Sequence, residues 1–187
     1  MRRMISLIFP CLFLLASSVH SQDNPMGRGS LMLSGTASFS SAGGNLYKDA
    51  DDNRLNFIAL SPSANYFILN NLFLGAGLGY LSLSQGDKTL SALGAGPNLG
   101  YAFGGSQSKT RLYLFASFRY DGFKMDDRSR SGTESAAGLG LIVFGSERLG
   151  LTVEGSYRIL ANKLEDADKN EYCDVIGVGI GLAGFLH

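Results

Sequence analysis

The feature that most constrains the fold is a strict alternation of apolar residues with small or polar ones. In RLYLFASFRY (residues 111–120) the even positions are all apolar, whereas the odd positions include Arg111 and Arg119. Successive side chains of a β-strand point to opposite faces, so one face is apolar and the other bears both charges. The same alternation recurs seven more times, near residues 30–40, 56–68, 72–80, 93–103, 134–143, 149–159 and 176–182.

Strand length and closure define the predicted architecture. The runs are about 9 to 13 residues long, as a tilted strand needs to cross a bilayer, and lipid tolerates no open sheet edge. Short connections alternate with longer ones along the chain: Asn70–Asn71, 104–110 and 145–148 against 41–54, 84–89, 121–132 and 160–172. This pattern predicts an all-β fold, an eight-stranded antiparallel up-and-down transmembrane β-barrel. Both termini and the short turns are expected in the periplasm.

Aromatic residues of the apolar face test this prediction. Two bands, one at each interface, are typical of membrane barrels. The bands expected here are Phe39, Tyr80, Tyr120 and Tyr157 near the loops, and Tyr66, Tyr101 and Phe103 near the turns. The alternative is a soluble, lipocalin-type barrel with its apolar face inside. It is disfavoured because the other face, rich in glycine and serine, has too few charges for a soluble exterior.

Two prolines lie within the predicted strands. Pro62 and Pro97 each remove one backbone donor from a sheet ladder. Both are expected to mark β-bulges, and the strand registers near them are left open.

Residues 1–21 have the organisation of a secretory signal peptide. Arg2 and Arg3 precede an apolar stretch that ends at Ala16, and cleavage is expected before Gln22. The stretch is shorter than the roughly 17 to 25 residues of a membrane anchor.

Composition restricts the function of residues 22–187, which are predicted to form one barrel domain. A lipoprotein signal is disfavoured because no small residues precede Cys11. Loss of the leader leaves a net charge of about −2, which gives no indication of nucleic-acid binding. Cys173 is the only remaining cysteine, so no internal disulfide can form.

Two segments carry a family resemblance. LSPSANYFILNNLFLGAGLGY (60–80) and GAGPNLGYAF (94–103) resemble the small eight-stranded, porin-like outer-membrane β-barrels, related in plan to the OmpA and OmpX transmembrane domains. The patterns are similar to those of Bacteroidetes-type members. The resemblance covers the mature chain and implies the cell outer membrane of a Gram-negative bacterium.

The resemblance also implies partners. Such barrels end in an aromatic residue that the outer-membrane assembly machinery reads, whereas this chain ends Phe185-Leu186-His187, with Leu186 in phase with the outward face. The expected partners are this machinery and membrane lipid, around a monomeric barrel. The sequence identifies no extracellular partner.

Inward-facing charges are the main candidate site. Glu134 is predicted to lie between Arg119 and Arg158, and cross-strand neighbours of opposite charge attract. Glu154 and Arg111 are further lumen charges without an assigned partner. Such a cluster could gate a narrow channel or bind a small anion, but the favoured interpretation is structural, namely that the charges fill the interior of a small barrel.

The cluster depends on two strand registers. Tyr120 opposite Thr133 brings the first arginine opposite Glu134. Phe144 opposite Leu149 brings the second arginine beside the same carboxylate.

No catalytic, cofactor or metal site is predicted. Enzymes on small outer-membrane barrels generally rely on a histidine paired with serine or acids, and the only mature histidine is the terminal His187. The motif D-x-D-x-N at 49–53 and 166–170 has calcium-type oxygen ligands but lacks the following glycine and the distant glutamate.

The sequence therefore predicts an integral outer-membrane barrel with a structural or surface-interaction role. The alternative is a narrow pore or small-solute-binding barrel that uses the charge cluster. A lipid-modifying enzyme is a distant alternative.

Overall fold

The computed structural model describes residues 24–42, 53–105, 108–125, 128–163 and 170–186. Eight antiparallel strands form a closed barrel in which each strand pairs with its neighbours in sequence. The strands are β1 (Leu31–Ala42), β2 (Leu55–Leu69), β3 (Leu72–Gln85), β4 (Lys88–Phe103), β5 (Thr110–Met125), β6 (Arg128–Phe144), β7 (Leu149–Lys163) and β8 (Asn170–Leu186). The predicted all-β, eight-stranded up-and-down barrel is confirmed. The predicted signal peptide lies outside the described residues. Across the described ranges, no helix combines the length and the apolar character required to cross a membrane.

The apolar face of the strands points away from the barrel axis. Leu93 is 63% exposed and Ile176 is 81% exposed, although both are large and apolar. The aromatics of both predicted bands are exposed as well: Phe39, Tyr66, Tyr80, Tyr101, Phe103, Tyr120 and Tyr157. The alternative of a soluble barrel with its apolar face inside is therefore wrong.

Glycines on the inner face make room for large side chains on neighbouring strands. Gly140 lies opposite Tyr113, and Gly138 lies opposite Phe115. A methyl group at Gly140 would overlap the Tyr113 ring. The interior of an eight-stranded barrel is only wide enough for side chains, so this pairing fills it without overpacking.

The end of the barrel with the short turns, called the turn end, agrees with the sequence. Asn70 and Asn71 alone connect β2 to β3, and Asn71 takes a left-handed conformation with a φ of 68°. Asparagine tolerates this conformation better than most side chains.

The opposite end, called the loop end, differs from the prediction at three connections. In the predicted loop 160–172, β7 and β8 pair as far as Lys163 opposite Asn170. The other two differences are larger. At the predicted loop 84–89, only Gly86 and Asp87 separate β3 from β4. At the predicted loop 121–132, β5 and β6 pair as far as Met125 opposite Arg128. At these two connections the residues do not continue the apolar-outward pattern, which predicts loops, but the backbone remains extended.

The prediction of bulges at the two prolines is wrong. The β2–β3 register is the same on both sides of Pro62, and the β4–β5 register is the same on both sides of Pro97. A proline removes a donor but inserts no residue, and a bulge requires an extra residue in one strand. The register shift lies instead between Phe67 and Leu69.

The β1–β8 junction, called the seam, is incomplete. Its pairing runs from Leu31–Leu186 to Ala37–Ile180. Beyond that point β1 continues beside β2 and β8 remains beside β7. Within the described ranges, the seam is therefore unpaired toward the loop end.

Candidate functional site in the barrel lumen

The lumen at the turn end is filled by a cluster called the plug. Phe67, which is 0% exposed, meets Phe73 edge-on at 5.7 Å between ring centroids, and Phe73 meets Tyr113 at 6.4 Å. Aromatic pairs favour such edge-to-face geometry. The buried members of the plug are Met26, Met32, Phe67, Phe73, Ala102, Tyr113, Ile142, Ala183 and Phe185.

The segment before β1 covers the plug. The amide of Gly29 donates to the carbonyl of Phe67 at 2.9 Å, and the amide of Phe67 donates to the carbonyl of Ser30 at 2.9 Å. The amide of Asn71 donates to the carbonyl of Met26 at 2.9 Å, and the Met26 side chain is buried. These bonds attach the segment to the barrel rim, so the turn end is closed by both side chains and backbone.

Arg111 belongs to the plug. It is 1% exposed, and its guanidinium carbon lies 5.8 Å from the centroid of the Phe144 ring. Its Nη1 donates to Asn71 Oδ1 at 3.3 Å and its Nη2 to Asn24 Oδ1 at 3.1 Å. The structure therefore separates Arg111 from the predicted charge cluster. Its partners lie in a turn and in the N-terminal segment, which strand phasing does not connect.

A polar layer lies next to the plug. The hydroxyls of Ser34 and Ser63 are 2.7 Å apart, and Asn65 Nδ2 donates to Ser63 Oγ at 2.9 Å. Asn98 Nδ2 donates to Asn65 Oδ1 at 3.4 Å. Buried amides require such partners, because an unmade hydrogen bond there is costly.

Glu154 lies beside the charge cluster, where it lines the same cavity as Glu134 and Arg158, but its hydrogen-bond partner is Tyr113. The hydroxyl of Tyr113 donates to its carboxylate, which links the plug to the charged residues further along the lumen. Sequence reasoning assigned Glu154 no partner, because the two residues lie on different, non-adjacent strands.

The central charges form the cluster predicted from the sequence. Arg119 Nη1 lies 3.2 Å from Glu134 Oε1, and Arg158 Nη1 lies 3.4 Å from the same oxygen. Arg158 Nε also donates to Ser156 Oγ at 3.1 Å. Glu134 thus bridges two guanidiniums inside the barrel, as inferred. Among the described residues, no group of three or more His, Cys, Asp or Glu could hold a metal ion.

One of the two predicted registers is correct and the other is wrong. Arg119 is opposite Glu134, as predicted. Phe144, however, is opposite Gly150, not Leu149. Residues directly opposite must share a face, and Phe144 points inward whereas Leu149 points outward.

The Arg158–Glu134 ion pair still forms in the observed register, because the arginine side chain is long. Arg158 is opposite Ala136, which is two residues from Glu134 on the same inner face. Diagonal neighbours at this spacing remain within reach of long side chains.

The lumen at the loop end contains a cavity of about 600 Å³, called the cup. Its wall is mainly apolar, and its floor contains Glu134, Glu154, Ser156 and Arg158. The large apolar residues of the wall are Phe57, Leu81, Leu83, Leu90, Phe123 and Leu160.

Sequence reasoning missed the cup, although a signal for it was present. Past Tyr80, the sequence LSLS (81–84) continues the alternation with opposite polarity, placing Leu81 and Leu83 inside and the two serines outside. Phe123 and Lys124 show the same reversal past Tyr120. A reversal of this kind indicates strands that leave an apolar exterior for water.

Several sequence features lie outside the described residues. They include His187 and the acidic positions Asp49, Asp51, Asp166 and Asp168. Calcium binding by the acidic motifs therefore stays untested.

Comparison with known proteins gives a family and a set of related folds. The family model of the outer membrane protein β-barrel domain matches residues 7–183. No curated protein matches the chain.

Solved structures support the same fold. OprG from Pseudomonas aeruginosa is 12% identical with a TM-score of 0.53, and the match covers 89% of this chain and 100% of OprG. Neisserial surface protein A is 15% identical with a TM-score of 0.52, covering 83% and 94%. Outer membrane protein W from E. coli is 15% identical with a TM-score of 0.50, covering 84% and 97%. At these identities the likeness concerns the fold alone.

Proposed function

Because the chain belongs to the outer-membrane protein β-barrel domain family and lies in the cell outer membrane, we propose that it is a non-conducting barrel with a structural or interaction role at the cell surface. The observation that carries this proposal is the plug. A transport pore needs a continuous wet lumen, whereas Phe67, Phe73 and Tyr113 fill this lumen at the turn end.

The charge cluster supports the same proposal. The side chains of Arg119 and Glu134 are only 8% and 10% accessible, and they are paired with each other. Charges that are buried and already paired have fewer donors and acceptors left for a passing ion. The cluster is accordingly proposed to fill the barrel, and no catalytic role is proposed for it.

The orientation of the barrel follows from the two ends. Past the aromatic band at Tyr80 and Tyr120 the outer face becomes polar, which suits strands that project beyond the bilayer. We place the loop end outside the cell, with the apolar outer face in membrane lipid and the barrel as a monomer. The loop end then presents any surface that a partner contacts.

Planar-bilayer recording tests the absence of conduction. The purified barrel, shown to be folded by its heat-dependent mobility on SDS gels, should give no unit conductance steps. The double substitution Phe67→Ala/Tyr113→Ala, which removes two rings of the plug, provides the comparison for an opened lumen. Reproducible steps from the wild-type protein would contradict the proposal.

Epitope insertion tests the orientation. A short tag between Asp126 and Asp127 should bind antibody on intact cells, and a tag after Glu147, in the β6–β7 turn, should bind only after permeabilisation. The reverse result would place the loop end in the periplasm.

A second candidate function is the binding of a small solute, which the cup specifically favours. Binding sites for small molecules are typically concave, mainly apolar and about 300 to 1,000 Å³ in volume. The cup has these properties, with a few polar groups at its floor.

A further inference from the structure

We propose that the cup binds an uncharged, single-chain amphiphile, with its apolar chain against the leucine and phenylalanine wall and a hydroxyl or carbonyl oxygen at Arg158. The inference rests on the second candidate function and gives it a ligand class. It requires an apolar wall, a suitable polar floor and an entrance, all of which the described residues provide.

The wall selects an apolar body. Leu81, Leu83 and Leu90 point into the cup from two adjacent strands, and Phe123 points in from the next. Because these side chains point inward, they face the cavity and not lipid. An apolar cavity of about 600 Å³ favours an apolar occupant over water.

The floor selects an uncharged head. Its two carboxylates, Glu134 and Glu154, are balanced by Arg158 and by Arg119, which pairs with Glu134 from below. A charged head of either sign would therefore gain no net attraction and would lose its hydration. Both carboxylates already accept hydrogen bonds from arginine or tyrosine.

Among the charged residues of the floor, Arg158 is the one with donors to offer. Its side chain is 23% accessible, more than its partners in the cluster, and its hydrogen bonds to described residues use Nε and Nη1. The Nη2 donors suit a neutral acceptor oxygen.

The seam supplies a route for an amphiphile. Pairing between β1 and β8 stops at Ala37–Ile180, next to Ser38, Gly179 and Gly177, which line the cup. Outside this opening, Ile176 and Val178 expose large apolar surfaces. An amphiphile dissolved in the outer leaflet could enter there, and one dissolved in the medium could enter through the loop end.

Two matched glycine substitutions test the site. A Cβ at Gly177 would meet only Ser156 Oγ, at 3.8 Å, so Gly177→Phe fills the cup without a clash at the backbone. A Cβ at Gly155, on the outward face of β7, meets nothing within 4 Å, so Gly155→Phe adds the same ring outside the barrel. Heat-dependent gel mobility confirms folding of both variants.

The readout is displacement of the uncharged fluorophore N-phenyl-1-naphthylamine by 1-dodecanol in lipid nanodiscs. The Kd for dodecanol should rise at least about tenfold in Gly177→Phe and change less than about twofold in Gly155→Phe. Equal Kd values in the two variants, or no displacement from the wild-type barrel, would overturn the proposal.

Two further measurements test the head group. Dodecanol should bind more tightly than dodecanoate at neutral pH, and Arg158→Met should weaken dodecanol binding roughly fivefold, the loss of one hydrogen bond. Tighter binding of dodecanoate would contradict the uncharged class.

The source of the amphiphile is a separate arm. Because dodecanol equilibrates between lipid and water, the route of entry is read from the rate of displacement. A rate that rises with the dodecanol content of the nanodisc lipid at one fixed aqueous concentration indicates entry through the seam, and a rate set by the aqueous concentration alone indicates the loop end. Either dependence supports the cup as the site. Conductance of the same samples shows independently whether the non-conducting role fails.

Discussion

The two halves of the lumen are built in opposite ways, although the same eight strands form both. At the turn end, the rings of Phe67, Phe73 and Tyr113 lie inside, and glycines on neighbouring strands let them fill the interior. At the loop end, leucines line a cavity and serines face outward. One half is therefore filled by buried side chains, while the other contains a cavity. The comparison shows that the same eight strands can close the lumen at one end and leave it open at the other.

The largest loss of stability is expected from a substitution in the plug, the closed half of the lumen. Phe67→Ala removes a ring that is fully buried in the plug, and we expect a loss of about 3 to 5 kcal/mol in the free energy of unfolding. Urea unfolding in lipid vesicles measures it. Phe103→Ala is the comparison. It removes a ring of the outer aromatic band, so it should lose less, because only contacts with Tyr101 and lipid disappear. Equal losses in the two variants would mean that the plug is not packed as described.

The next largest loss of stability is expected in the charge cluster, which lies between the plug and the cup. Glu134→Ala leaves Arg119 and Arg158 as two like charges without their shared carboxylate, and stability should fall by about 1 to 3 kcal/mol. The same unfolding assay detects the loss. Glu147→Ala, in the exposed β6–β7 turn, should be neutral. An unchanged stability in Glu134→Ala would contradict the bridged geometry.

A smaller change in stability is expected when a methyl group is added at an inner glycine. Gly140→Ala places a methyl group into the Tyr113 ring, whereas Gly155→Ala meets nothing within 4 Å. The first should destabilise the barrel by at least about 1 kcal/mol through overpacking, and the second should leave it unchanged or slightly more stable. Equal unfolding midpoints for the two alanine variants would show that the interior beside Gly140 can accommodate an extra methyl group.

The smallest effect is expected in the open half. Leu83→Ala shortens a side chain that faces a cavity, so unfolding stability should change by only about 0.5 kcal/mol. A loss as large as that of Phe67→Ala would mean that the cup is a packed core.

Much of the wall could be predicted from the sequence because alternation is a local property. The outward faces of all eight strands, the Arg119–Glu134 register and the exposure of the band aromatics follow from it. The predicted β6–β7 register is wrong by one residue. It pairs Phe144, which points inward, with Leu149, which points outward, whereas residues opposite each other in a ladder share a face.

The contents of the lumen were less predictable because they depend on contacts between distant residues. Arg111 is held by Asn24 and Asn71, and Glu154 by Tyr113, none of which lies opposite them in a ladder. The cup was missed because the reversed polarity past Tyr80 was interpreted as the start of a loop.

The most direct test of the closed and open halves is thiol labelling of two conservative variants. In a Cys173→Ser background, Ser61→Cys places a thiol at the cup and Ala183→Cys places one in the plug, where Ala183 is 0% exposed. A small water-soluble maleimide should label the Ser61→Cys barrel rapidly and the folded Ala183→Cys barrel only after unfolding. Similar labelling rates in the two folded barrels would contradict the division of the lumen into a closed half and an open half.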